Sequence, residues 1–233
     1  FHRRPQAWWK LKRITVEKTR TGKYYCYILY EHVEKAAEPV TPTPETTIAL
    51  KYSMRHFYVA DNGVKADPPR WLKQSQEKLV RIQKKLNRME PGSKNYQQAV
   101  QKYRLLHERV ANQRRDFLHK ESSRIANGWD AVCMRADEMQ NLSKITTRGN
   151  VMESGFGTFR EMLRYKLEQQ GKPLLLVDRY AATTRTCSVC GQVQDGVSRK
   201  LRTWTCPKCG TVHHREVNAA KNIKEEGLAQ LSA

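Results

Sequence analysis

The stretch TTIALKYSMRHFYVADNG, residues 46–63, decides the fold of this chain. Its run IALKYS alternates apolar side chains with small or charged ones, which predicts a strand with one buried face. The run HFYV predicts a second strand, and the Asn62-Gly63 pair after it is a turn signal. The stretch therefore predicts a β-hairpin, with Lys51 in its first strand.

The charge of the whole chain indicates a polyanionic partner. The chain has 233 residues, and 43 Lys and Arg against 23 Asp and Glu give a formal net charge of +20. This charge is spread along the sequence, so we expect nucleic acid as the partner. No apolar run approaches the ~20 residues of a membrane helix, and no signal peptide is visible. We therefore expect no membrane partner.

The N-terminal part predicts a second hairpin followed by a boundary. Residues 10–31 form two alternating runs around Thr21-Gly22, which is typical of a β-hairpin. The segment 35–47 after it is rich in proline, so it predicts a semi-extended linker. We place a domain boundary at this linker.

Two long helices are predicted after the 46–63 stretch. Apolar residues at helical spacing mark one over 71–88 and another over 94–127, with Ser93 as the cap of the second. A short connection makes them an antiparallel helical hairpin. The other face of these helices is rich in Lys and Arg. Any single charge could simply lie on a solvated surface. The excess of positive over negative charge along both helices favours contact with phosphates. The basic residues are Lys73, Lys78, Arg81, Lys84, Lys85, Arg88, Arg104, Arg109, Arg114, Arg115 and Lys120.

The C-terminal half alternates strands and helices. Residues 131–134 predict a buried strand, 154–170 a helix, and 173–178 a strand whose continuous apolar run suggests a central position in the sheet. A last helix is predicted over 216–231. Together with the hairpins, this order predicts an α/β fold.

Four cysteines are arranged as two Cys-x2-Cys pairs. Cys187, Cys190, Cys206 and Cys209 can each point a thiolate at one centre, and four soft thiolates select zinc. Two disulfides or four free thiols are the alternatives, but this spacing favours one zinc ion per chain. A site with four protein ligands has no open position, so the zinc is expected to be structural.

The remaining cysteines and two histidines are assigned other roles. Cys26 and Cys133 lie alone within strand-like runs and are expected to be buried free thiols, which suits a reducing cytosol. His213 and His214 lie near the second pair but are not expected to bind the zinc.

Several motifs together resemble TnpB, the transposon-encoded RNA-guided nuclease with a RuvC-like (ribonuclease H fold) domain. The run TCSVCG…WTCPKCGTVHHREVNAAKNI resembles the zinc ribbon and third RuvC motif of that family. IALKYSMRHFYV resembles the first RuvC motif, VCMRADEMQNLS the second, and LHERVANQRRDFLHKESSRIAN the long basic helix. The resemblance covers about residues 10–230 in the same order.

The resemblance implies a domain plan. It predicts an α/β RuvC-like domain with an inserted helical hairpin and a zinc ribbon, preceded by the end of a β-rich wedge domain. The implied segments are the wedge part at 1–34, the linker at 35–47, the RuvC-like domain at 48–182 with the helical hairpin at 71–127, the zinc ribbon at 183–212, and the final RuvC-like helix at 213–233.

The chain departs from the family at the catalytic positions. The family's motifs carry Asp, Glu and Asp, where this sequence has Lys51, Arg135 and Glu216. We expect this set to bind no catalytic magnesium, and we expect Lys51 or Arg135 to lie within ~4 Å of Glu216. The acids considered as substitute ligands are Asp61, Asp137, Glu138 and Asp178.

We expect a protein that still binds nucleic acid but no longer cleaves it. The sequence resembles TldR proteins, nuclease-dead relatives of TnpB that repress transcription under RNA guidance. This implies guide RNA and double-stranded target DNA as partners, in the bacterial cytoplasm at the nucleoid, with the oligomeric state left open. The alternatives are a metal-dependent, RNA-guided endonuclease or an inactive mutant of one, and an accessory protein of transposition that binds nucleic acid without a guide.

Overall fold

The computed structural model describes most of the chain. Lys73, Asp137 and Glu138 are outside the residues whose side chains it describes, so the predictions for them stay open. By internal contacts the chain divides into two compact units, residues 1–36 with 70–114 and residues 37–69 with 115–233. The described residues are 9–31, 37–53, 55–67, 70–136, 151–194 and 201–231, without the side chains of 70–73 and 151–154.

The first unit contains the N-terminal hairpin and most of two helices. Strands β1 (Lys10–Lys18) and β2 (Tyr24–Glu31) pair antiparallel. Gly22 turns between them with φ of 87°, in the left-handed region that glycine tolerates. Helix α1 (Arg70–Leu86) is followed by α2 (Lys94–Gly128), and only the part of α2 up to Arg114 belongs to this unit. The Tyr96 amide donates to Ser93 Oγ at 3.1 Å, so the predicted cap is confirmed.

One face of the β1–β2 ribbon is apolar and exposed. Val16 pairs with Cys26, and Ile14 pairs with Ile28. Val16 is 66% and Ile14 56% exposed. Cys26 is exposed as well, so its predicted burial is wrong. The reason is that no described element covers this face.

The second unit is built on a five-stranded mixed sheet of order β5-β4-β3-β6-β7. β3 pairs antiparallel with β4 and parallel with β6, and β6 pairs parallel with β7. This arrangement confirms the predicted α/β class. The strands are β3 (Thr47–Tyr52), β4 (Tyr58–Ala60), β5 (Lys65–Ala66), β6 (Ala131–Arg135) and β7 (Leu174–Val177).

Two details of this sheet differ from the sequence expectations. The Asn62-Gly63 turn leads into a further strand, β5, that the sequence pattern did not reveal. β7 lies at an edge of the described sheet rather than at its centre. Its apolar run is explained by burial on both faces. Leu175 and Val177 belong to the core on one face of the sheet, and Leu174 and Leu176 pack against the core on the other face.

Helices cover both faces of the sheet. Helix α3 (Val151–Glu168) and the end of α2 lie on one face, and α4 (Arg215–Ala229) lies on the other. Because side chains alternate along each strand, the two faces carry different residues. The first core contains several aromatic and long aliphatic side chains, whereas half of the second core consists of alanine and cysteine. The first core contains Ile48, Leu50, Val132, Met134, Leu118, Ile125, Phe156, Phe159, Leu163 and Leu167. The second contains Ala49, Ala131, Cys133, Leu175, Val177 and Ile223.

Helix α4 approaches the sheet closely. A Cβ placed on Gly227 would lie 2.5 Å from Cys133 Sγ, which is too close for two heavy atoms. Glycine at this position therefore permits the short distance between α4 and β6.

The second half of α2 is fastened to the sheet by a partly buried polar group. Tyr58 is fully buried, and its hydroxyl donates to the Glu121 carboxylate. Arg124 donates to the same hydroxyl and to Glu121 Oε1, each at 2.6 Å. Because the Tyr58 hydroxyl and both Glu121 oxygens have hydrogen-bond partners, the group tolerates its partial burial.

A short ribbon completes the second unit. Strands β8 (Thr203–Thr205) and β9 (Val212–His214) pair antiparallel and carry the second Cys-x2-Cys pair between them. α4 begins directly after β9. None of the described helices is both long enough and apolar enough to span a bilayer.

Candidate functional site

The ends of β3 and β6 bring two cations to one edge of the sheet. Leu50 and Met134 are register partners in this parallel pair. Lys51 and Arg135 follow them directly on the two strands. Since successive side chains alternate, Lys51 and Arg135 belong to the face that α4 covers.

Glu216 meets Lys51 from the first turn of α4. Lys51 Nζ lies 3.9 Å from Glu216 Oε1, and it also donates to the Tyr52 carbonyl at 3.0 Å. The two side chains are 21% and 24% exposed, so water screens the pair only in part. The predicted contact between Glu216 and a cation of this group is confirmed for Lys51.

A second ion pair lies further along the same helix, and here the helix supplies the cation instead of the anion. Lys224 Nζ lies 3.1 Å from Asp61 Oδ2, and Asp61 Oδ1 accepts the Ala49 amide at 2.9 Å. Asp61, considered from the sequence as a substitute metal ligand, therefore has other partners. The first pair joins α4 to β3 directly, and the second joins it to Asp61, which in turn accepts the Ala49 amide of β3.

Asp178 ends β7 near the same edge of the sheet. Its Oδ1 accepts the Tyr180 amide at 2.7 Å, which is a local turn contact. Within the described residues, the four cysteines are the one group of three or more His, Cys, Asp or Glu side chains close enough to share a metal ion.

The four cysteine sulfurs fit a zinc ion. All lie within 4.8 Å of one another, and Cys187–Cys209 and Cys190–Cys206 are separated by 3.6 and 3.7 Å. Zinc–sulfur bonds of about 2.3 Å in a tetrahedron place sulfurs about 3.8 Å apart. The cluster thus has the spacing and donor set of a structural zinc site.

His213 contacts this cluster from outside the four-sulfur set. Its Nε2 lies 3.1 Å from Cys187 Sγ, and its ring packs on Trp204 with centroids 4.7 Å apart. Burial and the nearby Lys221 hold the pKa of His213 below its ordinary value. A zinc-bound thiolate accepts hydrogen bonds, so a neutral His213 suits the role of donor to Cys187.

Two buried asparagines, which the sequence analysis did not single out, join α4 to the zinc module. Asn218 Nδ2 donates to the Thr186 carbonyl at 2.7 Å, and Asn218 Oδ1 accepts the Ser188 amide at 2.9 Å. One turn later, Asn222 Nδ2 donates to the Thr183 and Thr186 carbonyls. The spacing of four residues on one helix was the signal available in the sequence.

The predicted phosphate-binding residues are mostly exposed on α1 and α2. Arg114 is an exception, because it is half-buried and burial lowers its pKa. Lys120 is exposed but pairs with Asp116 at 2.8 Å. The exposed residues are Lys78, Arg81, Lys84, Lys85, Arg88, Arg104, Arg109, Arg115 and Lys120.

Known proteins resemble this chain over nearly its whole length. A protein of Streptomyces pristinaespiralis named "Putative RNA-guided DNA endonuclease" is 31% identical over 93% of this chain and 53% of its own length. "Putative RNA-guided DNA endonuclease InsQ" of Escherichia coli (strain K12) is 26% identical over 95% of this chain and 58% of its own length. The chain thus spans little more than half of these relatives.

A solved structure described as the Cas12f1-sgRNA-target DNA complex has the same fold. It matches with a TM-score of 0.61 and 18% identity, covering 91% of this chain and 44% of the other. At this identity the likeness concerns the fold alone, and it confirms the predicted RuvC-like architecture with its four-cysteine module.

Two family profiles match the sequence. One, described as "Cas12f1-like, TNB domain", matches residues 156–223. The other, OrfB_IS605, described as "Probable transposase", matches residues 27–146, which is more than half of the chain. The chain therefore belongs to the OrfB_IS605 family, the TnpB family that its motifs predicted.

Proposed function

We propose that this chain is part of an RNA-guided DNA-binding protein whose RuvC-like site no longer cleaves. The observation that carries this proposal is the Lys51–Glu216 ion pair at the end of β3. In the TnpB motifs that the sequence resembles, Lys51, Arg135 and Glu216 stand where three carboxylates would hold two divalent ions. In this proposal the ammonium group of Lys51 takes the place of a metal ion beside Glu216.

Charge explains why such a site disfavours magnesium. The family's ligand set carries three negative charges, whereas Lys51, Arg135 and Glu216 together carry a net charge of +1. A divalent ion ~4 Å from an ammonium group is repelled by several kcal/mol at an effective dielectric constant of about 20. Glu216 is the single carboxylate of the three, and it already faces Lys51.

Binding does not require cleavage chemistry. Guide RNA pairs with the target strand, the protein holds the heteroduplex by its backbone, and the bound complex blocks polymerase. The net charge of +20 and the exposed cations of α1 and α2 supply phosphate contacts. In this proposal the protein is a transcriptional repressor, zinc maintains its fold, and no magnesium takes part.

A second candidate is an RNA-guided, metal-dependent endonuclease. It is favoured by the names of the similar proteins of Streptomyces pristinaespiralis and Escherichia coli, which are both called putative RNA-guided DNA endonucleases. The two candidates share their partners and differ in whether the bound DNA is cut.

The test combines RNA sequencing with a cleavage assay. The protein is purified from its host, its bound RNA is sequenced, and duplex DNA matching that RNA is tested for binding and scission with magnesium or manganese. We expect a defined RNA, sequence-matched binding and intact DNA. Metal-dependent scission above a protein-free control would establish the endonuclease instead, and binding without a defined RNA would favour a guide-independent accessory protein.

A variant with the three acids restored tests whether their replacement is the reason that the site does not bind a divalent ion. Lys51→Asp, Arg135→Glu and Glu216→Asp together restore the family's three acids. We expect calorimetry to detect manganese binding to this variant and none to the original site. Equal binding by both would contradict the proposed role of Lys51 and Arg135.

A further inference from the structure

The first unit contains a cavity of about 650 Å³ that is lined by no residue of the RuvC-like site or of the zinc site. It lies between the turn of the β1–β2 hairpin and the α1–α2 hairpin. Ligand pockets of proteins commonly have volumes of about 300–1,000 Å³, so the cavity has room for one nucleotide.

The cavity has an apolar, aromatic floor. Leu86 of α1 and Tyr96, Val100 and Tyr103 of α2 line it, and all four are half-buried. Tyr103 is also in edge contact with His107, with ring centroids 4.5 Å apart. Tyrosine and histidine rings at such a surface offer faces on which a flat base can stack.

The rim is polar and positively charged. Arg20 of the hairpin turn and Arg104 of α2 are both exposed at the cavity, and neither has a carboxylate partner among the described residues. Gln83 and Asn87 add amide groups that can both donate and accept hydrogen bonds. This combination suits a ligand with a flat polar ring and a nearby anion.

The one carboxylate in the wall is neutralised. Glu108 Oε1 accepts from Lys23 Nζ at 2.9 Å and from the Tyr25 hydroxyl at 3.2 Å. Hydrogen bonds from Thr21 and Lys23 hold the pKa of Glu108 below its ordinary value. Since Lys23 balances its charge, Glu108 does not prevent an anion from binding at Arg20 and Arg104.

We propose that this cavity binds one unpaired nucleotide of an RNA strand, with its base against Tyr103 and its phosphates at Arg20 and Arg104. The proposal rests on the proposed function, because it adds a specific contact to an RNA-binding surface. RNA is favoured over duplex DNA because a base enters such a cavity only when it is unstacked, as in loops and single-stranded ends.

The test uses fluorescence anisotropy of the full chain with two probes. One is a short, unstructured, fluorescein-labelled RNA, and the other is the same strand made of abasic ribonucleotides. Tyr103→Leu is expected to weaken binding of the first strand about tenfold, as for loss of one stacked base, and to leave the second unchanged. Arg104→Gln is expected to weaken both and to reduce the salt slope by about 0.7.

Two controls guard against loss of fold and non-specific effects. Tyr103→Phe keeps the ring and should bind both strands as the original protein does. Tyr180→Leu removes a tyrosine that is 78% exposed in the other unit, and it should change neither affinity. Melting temperatures of all variants are compared with that of the original protein.

The outcomes distinguish this proposal from the proposed function. If RNA binds but Tyr103→Leu affects both strands equally or neither, the cavity assignment is overturned and RNA binding stands. Single-stranded DNA of the same sequence is titrated as a third probe. If it binds equally, with the same dependence on Tyr103, the assignment to RNA is overturned. If no strand binds, the cavity assignment is overturned, whereas the proposed function is decided by the co-purified RNA and the guide-matched DNA.

Discussion

Lys51 Nζ lies 3.9 Å from Glu216 Oε1, across the gap between the end of β3 and the start of α4. Three carboxylates at such a point would repel one another and raise each other's pKa unless metal ions lay between them. In the proposed function the ammonium group of Lys51 removes that need, and the following prediction measures its interaction with Glu216.

The first prediction concerns the energy of this pair. A double-mutant cycle with Lys51→Met and Glu216→Gln should give a coupling free energy of about 0.5–1 kcal/mol, because the pair is only partly exposed. Urea unfolding of the four proteins measures it. Pairing Lys51→Met with Glu225→Gln, an exposed acid on the same helix, should give additive changes. Additivity in the first cycle would mean that the ion pair contributes nothing to stability.

The second prediction concerns zinc. Native mass spectrometry should find one zinc per chain, and a chelator should lower the melting temperature because the metal is bound only when the module is folded. Cys206→Ser should reproduce the effect, since Cys206 is fully buried in the cluster. Cys26→Ser, an exposed cysteine of the other unit, is the control and should retain the metal. A folded chain free of metal would contradict the assignment.

The third prediction concerns the asparagines of α4. Asn222→Ala leaves the Thr183 carbonyl without its side-chain donor in a buried setting, which should cost about 1–3 kcal/mol of unfolding free energy. Denaturant melts measure the loss, and the zinc module should also exchange its metal faster. Lys221→Ala changes an exposed neighbour on the same helix and should have little effect. Equal effects of the two substitutions would remove the special role of Asn222.

The fourth prediction concerns acid stability. Burial alone would raise the pKa of Glu121, but hydrogen bonds from Arg124 and Tyr58 outweigh it and hold that pKa below its ordinary value of 4.5. The stability from ionised Glu121 is therefore fully present above pH 4.5 and is lost as the pH falls through the folded-state pKa. Glu121→Gln should destabilise the protein at neutral pH, with a smaller difference from the original below pH 4.5.

Thermal melts across that pH range measure the difference. Tyr58→Phe removes one donor to Glu121 and should remove part of the same pH dependence. A stability difference that is constant with pH would show that the Glu121 charge does not matter.

The fifth prediction concerns the basic helices. Replacing both Lys84 and Lys85 with Gln should weaken nucleic-acid binding, and the salt slope on duplex should fall by about one for each phosphate that is no longer neutralised. Anisotropy titrations at several salt concentrations measure the slope. Lys208→Gln, which removes one charge from the zinc module, is the control and should leave the slope unchanged. If the helix variant has the same slope as the original protein, these lysines are simply solvated.

Periodicity predicted the longer helices and strands, but it did not reveal the short strand β5 and did not give every strand its place in the sheet. Alternation in IALKYS and the apolar run of 131–134 both predicted strands that the structure contains. The continuous apolar run of β7 predicted a central strand because such a run indicates burial on both faces. The prediction was wrong because helices can bury both faces of an edge strand equally well. Cys26 was expected to be buried because a strand pattern shows which residues share a face and not whether another layer covers it.

The part of the candidate site that could be predicted from the sequence is the part whose ligands lie close together in the chain. Cys-x2-Cys spacing gives the zinc ligands directly, because each pair is one tight turn. The contact of Lys51 with Glu216 joins residues far apart in sequence, and it was expected only through the resemblance of three motifs. The contact of His213 with Cys187 and the role of Asn222 were not predicted, because hydrogen bonds to a thiolate or a backbone carbonyl depend on packing that spacing does not specify.

Because α4 lies so close to β6, the reactivity of the Cys133 thiol can report how often α4 separates from the sheet. Cys133 is sealed beneath Gly227, and burial raises the pKa of its thiol to about 12. An alkylating reagent can therefore modify Cys133 only in molecules whose last helix has lifted from the sheet, whereas exposed Cys26 reacts at once. In the zinc-bound protein the other four thiols would be protected, and the slow phase of alkylation would measure how often the helix that carries Glu216 detaches under native conditions.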